Sequence, residues 1–147
     1  MLEWTETPFA ALTPHALYEI LQVRQAVFVV EQNCAYLDAD GYDAPAWHLC
    51  GRDAHGLVAY ARLLPGGTKH TAPSIGRVIT VARARGTGLG KALMREAVER
   101  LQHHVGAVPI VLGAQAHLQR FYAEFGFVTV GAEYLEDGIP HIDMQRG

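Results

Sequence analysis

The sequence has few cysteines, no long apolar run and no excess of positive charge. Its two cysteines, Cys34 and Cys50, form neither a disulfide framework nor a Cys-x-x-Cys pair, which fits a reducing compartment and argues against structural zinc. No apolar run exceeds five residues, as in Ala26–Val30, and the first residues lack the basic and apolar regions of a signal peptide. We therefore expect a cytoplasmic protein that does not enter a membrane.

Charge of one sign does not dominate either. The net charge of −3 disfavours nucleic acid as the main partner, because phosphate contacts require a basic face. The eight histidines include no pair four residues apart on a predicted helix, so we expect no metal.

The amino-acid composition is typical of one folded domain. Half of the 147 residues are hydrophobic and 18% are charged, while 15 glycines and 7 prolines are scattered along the chain. A chain of this length can bury a substantial core without disulfides or metals. We therefore expect a single domain over residues 1–147.

Charged residues are distributed unevenly along the chain. Eight of the twelve Lys and Arg residues lie between positions 62 and 100, where Glu96 and Glu99 are the only acids. The flanks, residues 25–51 and 121–145, carry acids and no Lys or Arg. Two interpretations stay open: these blocks are solvated faces, or the middle holds an anionic ligand and the flanks hold a cationic one.

Apolar periodicity predicts the order of secondary structure. Thr13-Pro14 is typical of a helix start, and helical spacing continues to about Glu31. The elements predicted after an acidic loop at 33–45 are a hairpin of strands 47–51 and 57–64, a strand at 74–81, a helix from about 89, a strand at 108–112, a short helix ended by Gly126, and strands at 127–130 and 141–144. This order predicts an α/β (α+β) fold, a mixed sheet with helices on its faces.

The segment between positions 78 and 91 carries the most specific chemistry. A strand ends, Gly86, Gly88 and Gly90 alternate, and a helix begins. The first N–H groups of a helix lack partners within it and lie at the positive end of its dipole, so such a segment can bind phosphate. A P-loop is disfavoured because Arg85 stands where its first glycine is needed. A dinucleotide fingerprint is disfavoured because Lys91 stands where its third glycine is needed.

Two motifs identify a resemblance. Arg85, Gly88 and Gly90 match the pattern [Gln/Arg]-x-x-Gly-x-[Gly/Ala], and further along, Tyr122-Ala-Glu-Phe-Gly126-Phe127 matches Tyr-x-x-x-Gly-Phe. With these motifs the chain resembles the GNAT N-acetyltransferase superfamily. The segments that resemble its bacterial ElaA-like branch are 24–32, the acidic loop with Asp38 and Asp40, 113–117 and 136–141.

The resemblance implies a fold and a co-substrate. It implies a single GNAT-like domain whose mixed, mostly antiparallel sheet of six to seven strands splays open between the fourth and fifth strands, with acetyl-CoA in the opening. The residues that it places against CoA are Val78, Ile79, Thr80, Arg85, Gly86, Thr87, Gly88, Leu89, Gly90, Lys91 and Gln115. Many members of the superfamily are dimers, and no sequence feature selects between a monomer and a homodimer.

The resemblance also implies direct transfer of an acetyl group to a primary amine, in a small molecule or a peptide. Tyr122 would protonate the departing thiolate as a general acid. The fourth strand lacks the Glu that many relatives use as base, and His141 is our first candidate instead, because imidazole exchanges protons near neutral pH. Glu31, His48 and His117 are alternatives for the base or for contacts to the acceptor. A non-catalytic CoA-binding or interaction module on the same fold remains the rival hypothesis, and the acidic flanks favour a cationic acceptor.

Overall fold

Seven strands and three α-helices organise residues 2–147, the part of the chain that this computed structural model describes. The elements in chain order are β1 (Glu3–Pro8), α1 (Pro14–Arg24), a π-helical segment (Gln25–Glu31), β2 (Trp47–Asp53), β3 (Gly56–Leu64), β4 (Ser74–Thr80), α2 (Leu89–Val105), β5 (Ile110–Gln115), α3 (Gln119–Ala123), β6 (Phe127–Glu136) and β7 (Ile139–Arg146). Short 3₁₀ turns lie at Phe9–Ala11, Ala82–Ala84 and Ala116–Leu118.

The strands form one sheet in the order β1-β2-β3-β4-β5-β7-β6. Neighbouring strands are antiparallel except for β4 and β5, which are parallel and in register at Ser74 and Val111. Beyond that pair the two strands diverge. The expected mixed sheet with a splay between its fourth and fifth strands is confirmed.

Helices cover both faces of the sheet. On one face Leu93, Ala97 and Leu101 of α2 pack on the strands, in the same cluster as Ile110 and Phe127. On the other face, α1 and the π-helical segment bury a smaller cluster whose members include Ile20, Val27, Tyr60 and Ile79. These two layers explain why apolar spacing was informative for both helices.

The first helix begins as its sequence predicts. The hydroxyl of Thr13 accepts a hydrogen bond from the N–H of Ala16 at 3.1 Å, and Pro14 occupies the first turn. Helical structure extends to Glu31 as expected, but its last seven residues are π-helical, not α-helical. Wider turns of this kind are rare and often lie at functional sites.

The structure corrects several strand boundaries. It adds β1, whose sequence Glu-Trp-Thr-Glu-Thr-Pro has little apolar content and pairs at the sheet edge with β2. Trp4 of this strand lies over Gly51, where a Cβ would stand 2.7 Å from the indole ring. The fifth strand spans 110–115 and not 108–112, and the last two strands reach Glu136 and begin at Ile139. Most of their extra residues are exposed and show no regular alternation of apolar and polar side chains, so apolar periodicity could not identify them.

No helix between residues 2 and 147 is long and apolar enough to cross a bilayer.

Candidate functional site

A cleft of about 730 Å³ opens where β4 and β5 diverge. Its volume falls within the range typical of small-molecule sites. The predicted site residues that line it are Glu31, Val78, Ile79, Thr80, Arg85, Gln115, His117, Tyr122 and His141. The loop that continues from Arg85 to Lys91 lies beside this lining, whereas His48 does not contribute to it.

The glycine loop ends in a helix N-terminus that no side chain caps. Gly86 and Gly88 have φ of 81° and 80°, in the left-handed region, and a Cβ on either would meet no atom within 4 Å. The first bond that closes this end of α2 runs from the N–H of Ala92 to the carbonyl of Gly88 at 3.2 Å. The earlier N–H groups are available to an anion beside the open space that the glycines leave.

Other residues of this loop hold it in place. Leu89 is buried in the main core, so its contribution to a ligand is confined to its backbone. Gly90 lies against Phe121, where a Cβ would stand 3.5 Å from the ring. The hydroxyl of Thr87 donates to the carbonyl of Ala84 at 2.8 Å, which closes the turn before the helix.

Arg85 joins the loop to the opposite rim of the cleft. Its Nε donates to the carbonyl of Thr80 at 2.9 Å, and its Nη1 lies 2.7 Å from Oε2 of Glu31. Glu31 is therefore engaged by an arginine and is not a free contact for an amine. Lys91, in the first turn of α2, is exposed and lies 3.4 Å from the carboxylate of Glu124.

Strand β4 carries a β-bulge in the wall of the cleft. Arg62 of β3 pairs with Gly76, but Tyr60 pairs with Ile79, so Arg77 and Val78 together face one residue of β3. Arg77 has φ of 51°, which side chains other than glycine rarely adopt. A bulge takes its extra residue out of the ladder and re-aims the backbone there.

Tyr122 is buried, with 7% of its surface exposed, and lines the cleft from α3. Burial raises the pKa of its hydroxyl to about 12. Burial is also the one cause of that shift, since no hydrogen bond or charge contributes to it. The hydroxyl is therefore a protonated donor available to a group in the cleft.

His141 lies in the opposite wall, at the centre of a row across three strands. Gln115 of β5 and Tyr134 of β6 are its partners in register on either side. Its Nδ1 lies 2.7 Å from the carbonyl of Ile139, and because a carbonyl only accepts, Nδ1 carries the proton. Nε2 then holds the lone pair of the neutral ring, 3.4 Å from Oε2 of Glu136. This is the tautomer that a base requires.

Residues beside His141 complete an acidic wall within the predicted acidic flank, although sequence reasoning did not single out Tyr134 or Asp143 individually. The hydroxyl of Tyr134 donates to Oδ1 of Asp143 at 2.7 Å, and burial followed by this bond raises the pKa of Tyr134. Gly113, opposite Asp143, leaves room for that hydroxyl, which would lie 3.1 Å from a Cβ there. The available signal was the alternation of His141 and Asp143 on one face of a strand.

The remaining predicted residues have different surroundings. His117 lines the cleft from the 3₁₀ turn before α3. Gln115 also lines it, and its amide donates to Oε1 of Gln32 at 3.3 Å. His48 is fully buried, with Nδ1 2.6 Å from the hydroxyl of Tyr60 and Nε2 2.9 Å from the carbonyl of Asp43. Burial lowers the pKa of His48, and its position away from the cleft gives it a packing role and no route to an acceptor.

An ion-pair cluster corrects the view that the basic middle of the chain faces a ligand as one block. The members of the cluster are Arg24, Arg62, Arg77, Asp38, Asp40 and Asp43. Arg62 donates to both carboxylate oxygens of Asp40, at 2.7 and 2.9 Å. Burial alone would raise the pKa values of Asp40 and Asp43, but the arginine hydrogen bonds and charges outweigh it and lower both. Much of the basic block therefore neutralises acids of the N-terminal flank.

Within residues 2–147 no group of three or more His, Cys, Asp or Glu side chains is arranged to hold a metal ion.

Comparison with known proteins places this arrangement in a family. Residues 48–146 match the acetyltransferase (GNAT) domain family. The chain is 47% identical over 148 residues to the protein ElaA of Escherichia coli, covering 99% of this chain and 97% of ElaA.

Solved structures agree with the sequence match. The crystal structure of E. coli ElaA superposes with a TM-score of 0.94 at 46% identity, and each chain is covered completely. An acyl-CoA N-acyltransferase from Pseudomonas aeruginosa superposes with a TM-score of 0.96 at 44% identity, again over the whole of both chains. The fold of this chain is thus shared with a protein described as an acyl-CoA N-acyltransferase.

Proposed function

Because this chain belongs to the GNAT acetyltransferase family, in its ElaA-like branch, we propose that it transfers an acetyl group from acetyl-CoA to a primary amine. The observation that carries the proposal is the juxtaposition, in one cleft, of an uncapped helix N-terminus, a buried tyrosine hydroxyl whose pKa no hydrogen bond from residues 2–147 shifts, and a histidine whose Nδ1 donates to a main-chain carbonyl. Each of these groups matches one requirement of the reaction.

The loop and β4 supply the co-substrate site. The backbone N–H groups of residues 86–91 bind the pyrophosphate of CoA, and the glycines at positive φ let it approach the backbone. The exposed edge of β4 at residues 78–80, which β5 leaves unpaired, binds the amides of pantetheine. Gln115 extends its amide from the end of β5 toward the same channel.

The acyl group then lies at the β4 bulge, between Tyr122 and His141. A main-chain N–H of the bulge polarises the thioester carbonyl, as donors aimed at developing negative charge do. Nε2 of His141 takes one proton from the amine as its nitrogen attacks the carbonyl carbon. The C–N bond forms, the C–S bond breaks, and Tyr122 gives its proton to the departing sulfur. Water later restores the proton of Tyr122, and His141 passes its proton to the solvent by way of Glu136.

The acidic wall supports a cationic acceptor. Glu136 and Asp143 line the cleft on the side of His141, and the described part of β5, β6 and β7 brings no Lys or Arg into its lining. An ammonium group on the acceptor would reduce the cost of holding these carboxylates close together. Both small-molecule amines and peptide amines satisfy this condition.

Titration calorimetry with acetyl-CoA in metal-free buffer tests the co-substrate site. One-to-one binding is expected, and its absence would withdraw the proposal. Thiol release at saturating acetyl-CoA is then measured with a panel of diamines, amino acids and short peptides. Release with any amine supports transfer, whereas binding without release throughout the panel favours a non-catalytic CoA-binding module.

A further inference from the structure

Arg77 has a strained backbone and an unusually well-anchored side chain. Its φ of 51° lies in the left-handed region, within a strand whose neighbours are extended. An L residue remains in such a conformation only where its surroundings determine it, and residues of this kind cluster at functional sites. The strained residue is the first of the two that form the bulge in the cleft wall.

The guanidinium of Arg77 is fixed from several directions. Its Nε forms an ion pair with Oδ1 of Asp38 at 2.9 Å, without the geometry of a hydrogen bond, and its Nη2 donates to the carbonyl of Asp38 at 3.1 Å and to Oδ2 of Asp40 at 3.2 Å. The group also faces the rings of Tyr36 and Phe28, at 5.5 and 6.0 Å from their centroids. The planar, forked guanidinium of arginine can make these polar and aromatic contacts together, whereas the ammonium group of a lysine could not.

Asp38 is itself held by other elements. Nε of Arg24, on α1, donates to its Oδ2 at 2.8 Å, and the hydroxyl of Tyr36 donates to its Oδ1 at 2.7 Å. Asp38 is 5% exposed and Arg24 is completely buried. A continuous set of charge-assisted bonds therefore runs from helix α1 through Asp38 to the bulge of β4.

We propose that Asp38, acting through Arg77, holds the bulge of β4 in the conformation that receives the thioester carbonyl. The inference rests on the proposed function, and it makes Asp38 and Arg77 positioning residues. Without the anchor, Arg77 relaxes toward an extended conformation, and the N–H at the bulge moves out of line with the carbonyl. The binding of CoA through the glycine loop stays intact, because the side-chain bonds of Asp38 and Arg77 do not reach residues 85–91.

The test measures the stretching frequency of the thioester carbonyl of acetyl-CoA. Infrared difference spectra of acetyl-CoA labelled with ¹³C at the acetyl carbonyl are recorded free and bound to the full-length protein. Hydrogen bonding to the carbonyl lowers its stretching frequency, so the bound wild-type spectrum is expected to show a downward shift. A purely structural contribution of Asp38 to stability would leave this shift unchanged.

Two variants and one control distinguish a positioning role of Asp38 and Arg77 from a purely structural one. Asp38→Asn removes the charge that anchors Arg77, while Arg77→Ala removes the anchored side chain and leaves a residue that a φ of 51° still strains. Asp53→Asn is the matched control, because Asp53 also accepts two bonds from an arginine, Arg83, at 2.8 and 3.0 Å, but does not line the cleft. Thermal unfolding of each variant establishes that it is folded.

Both anchor variants are expected to lose most of the shift and to retain acetyl-CoA affinity within about threefold. Their kcat should fall about tenfold, less than the hundredfold that follows outright loss of such a donor, with little change in the KM for acetyl-CoA. Asp53→Asn should match the wild type. If Arg77→Ala retains the full shift, the inference is overturned and the proposed function is untouched. If bound wild-type acetyl-CoA shows no shift, the inference and the role of the bulge N–H are both overturned, while acetyl transfer itself is still judged by thiol release. Failure of the wild type to bind acetyl-CoA overturns the proposed function, and this inference with it.

Discussion

Ser74 of β4 and Val111 of β5 are the one pair of residues in register between these two strands in the described chain. Next to it, the N–H of Val111 donates to the carbonyl of Pro73 at 3.0 Å, and further along the strands no ladder forms. The facing backbone groups of β4 are left for another partner, since buried N–H and C=O groups are almost always paired. An extended ligand with amides, such as pantetheine, meets that requirement.

Replacement of Gly88 by aspartate should abolish acetyl-CoA binding. The variant adds a negative charge and a side chain in the space where pyrophosphate would lie, and it strains a residue whose φ is 80°. We expect affinity to fall by at least about a hundredfold in calorimetric titration.

Gly106→Asp is the matched control for that variant. Gly106 has φ of 82° and ψ of −170° and follows the other end of the same helix, so aspartate there adds the same charge far from the glycine loop, at a backbone conformation that strains it more than at Gly88. Its affinity for acetyl-CoA should equal that of the wild type. Equal affinities for the Gly88→Asp variant and the wild type would contradict the assignment of the loop.

Tyr122→Phe should lower kcat about a hundredfold and leave acetyl-CoA affinity unchanged. Burial raises the pKa of Tyr122 to about 12, so the hydroxyl remains a proton donor at neutral and moderately alkaline pH. The steady-state rate of thiol release and a parallel calorimetric titration check both parts. An unchanged rate would remove Tyr122 from the mechanism, and Tyr18→Phe, at an exposed position on α1, controls for loss of a phenol in general.

The sequence was sufficient for the parts of the fold that depend on buried periodicity or on glycine. Apolar spacing predicted α1, α2 and the β2–β3 hairpin, and the alternating glycines predicted the turn into α2. The exposed strand β1 and the outer half of β6 have neither signal. Pairing with a neighbouring strand creates them, and no local pattern reports that pairing.

Contacts between segments that are distant in the sequence limited how much of the candidate site could be predicted. Tyr122 and His141 were predictable because a motif or a residue type identified them. The ion pair of Asp38 with Arg77 joins residues 39 positions apart, and it converts two apparent surface charges into an internal anchor. The buried position of His48 was not predictable for the same reason, since its bonds to Tyr60 and Asp43 depend on how β2, β3 and the acidic loop pack together.

His141→Gln should lower kcat about a hundredfold. Loss of Nε2 removes the group that accepts the amine proton, while the KM for acetyl-CoA should change little. His117→Gln is the informative partner variant, because His117 lines the same cleft and is the other histidine available to an acceptor there. If His117→Gln lowers kcat about a hundredfold and His141→Gln does not, the base is His117 and the proposed role of His141 is wrong.

Asp40 should make the stability of the protein sensitive to acid. Burial raises the pKa of its carboxyl group, but hydrogen bonds from Arg62 and from the N–H of Tyr42 outweigh burial, and the net pKa lies below its ordinary value. The folded protein therefore binds fewer protons than the unfolded chain near pH 4. The stabilising contribution is complete above the unfolded pKa, about 3.9, and is lost as the pH falls toward the folded pKa.

Asp40→Asn tests this linkage through urea unfolding from pH 7 to pH 3. At pH 7 the variant should be less stable by about 2 kcal/mol, because Arg62, at 1% exposure, loses one of its two carboxylate partners. As the pH falls the wild type loses the same interaction by protonation, so the two free energies of unfolding should converge, while other titrations affect both proteins and cancel.

Asp137→Asn, at an exposed turn position, should follow the wild type at every pH. A difference between Asp40→Asn and the wild type that stays constant down to pH 3 would show that the charge of Asp40 does not stabilise the cluster, whose arginines would then be held by packing and by their remaining partners.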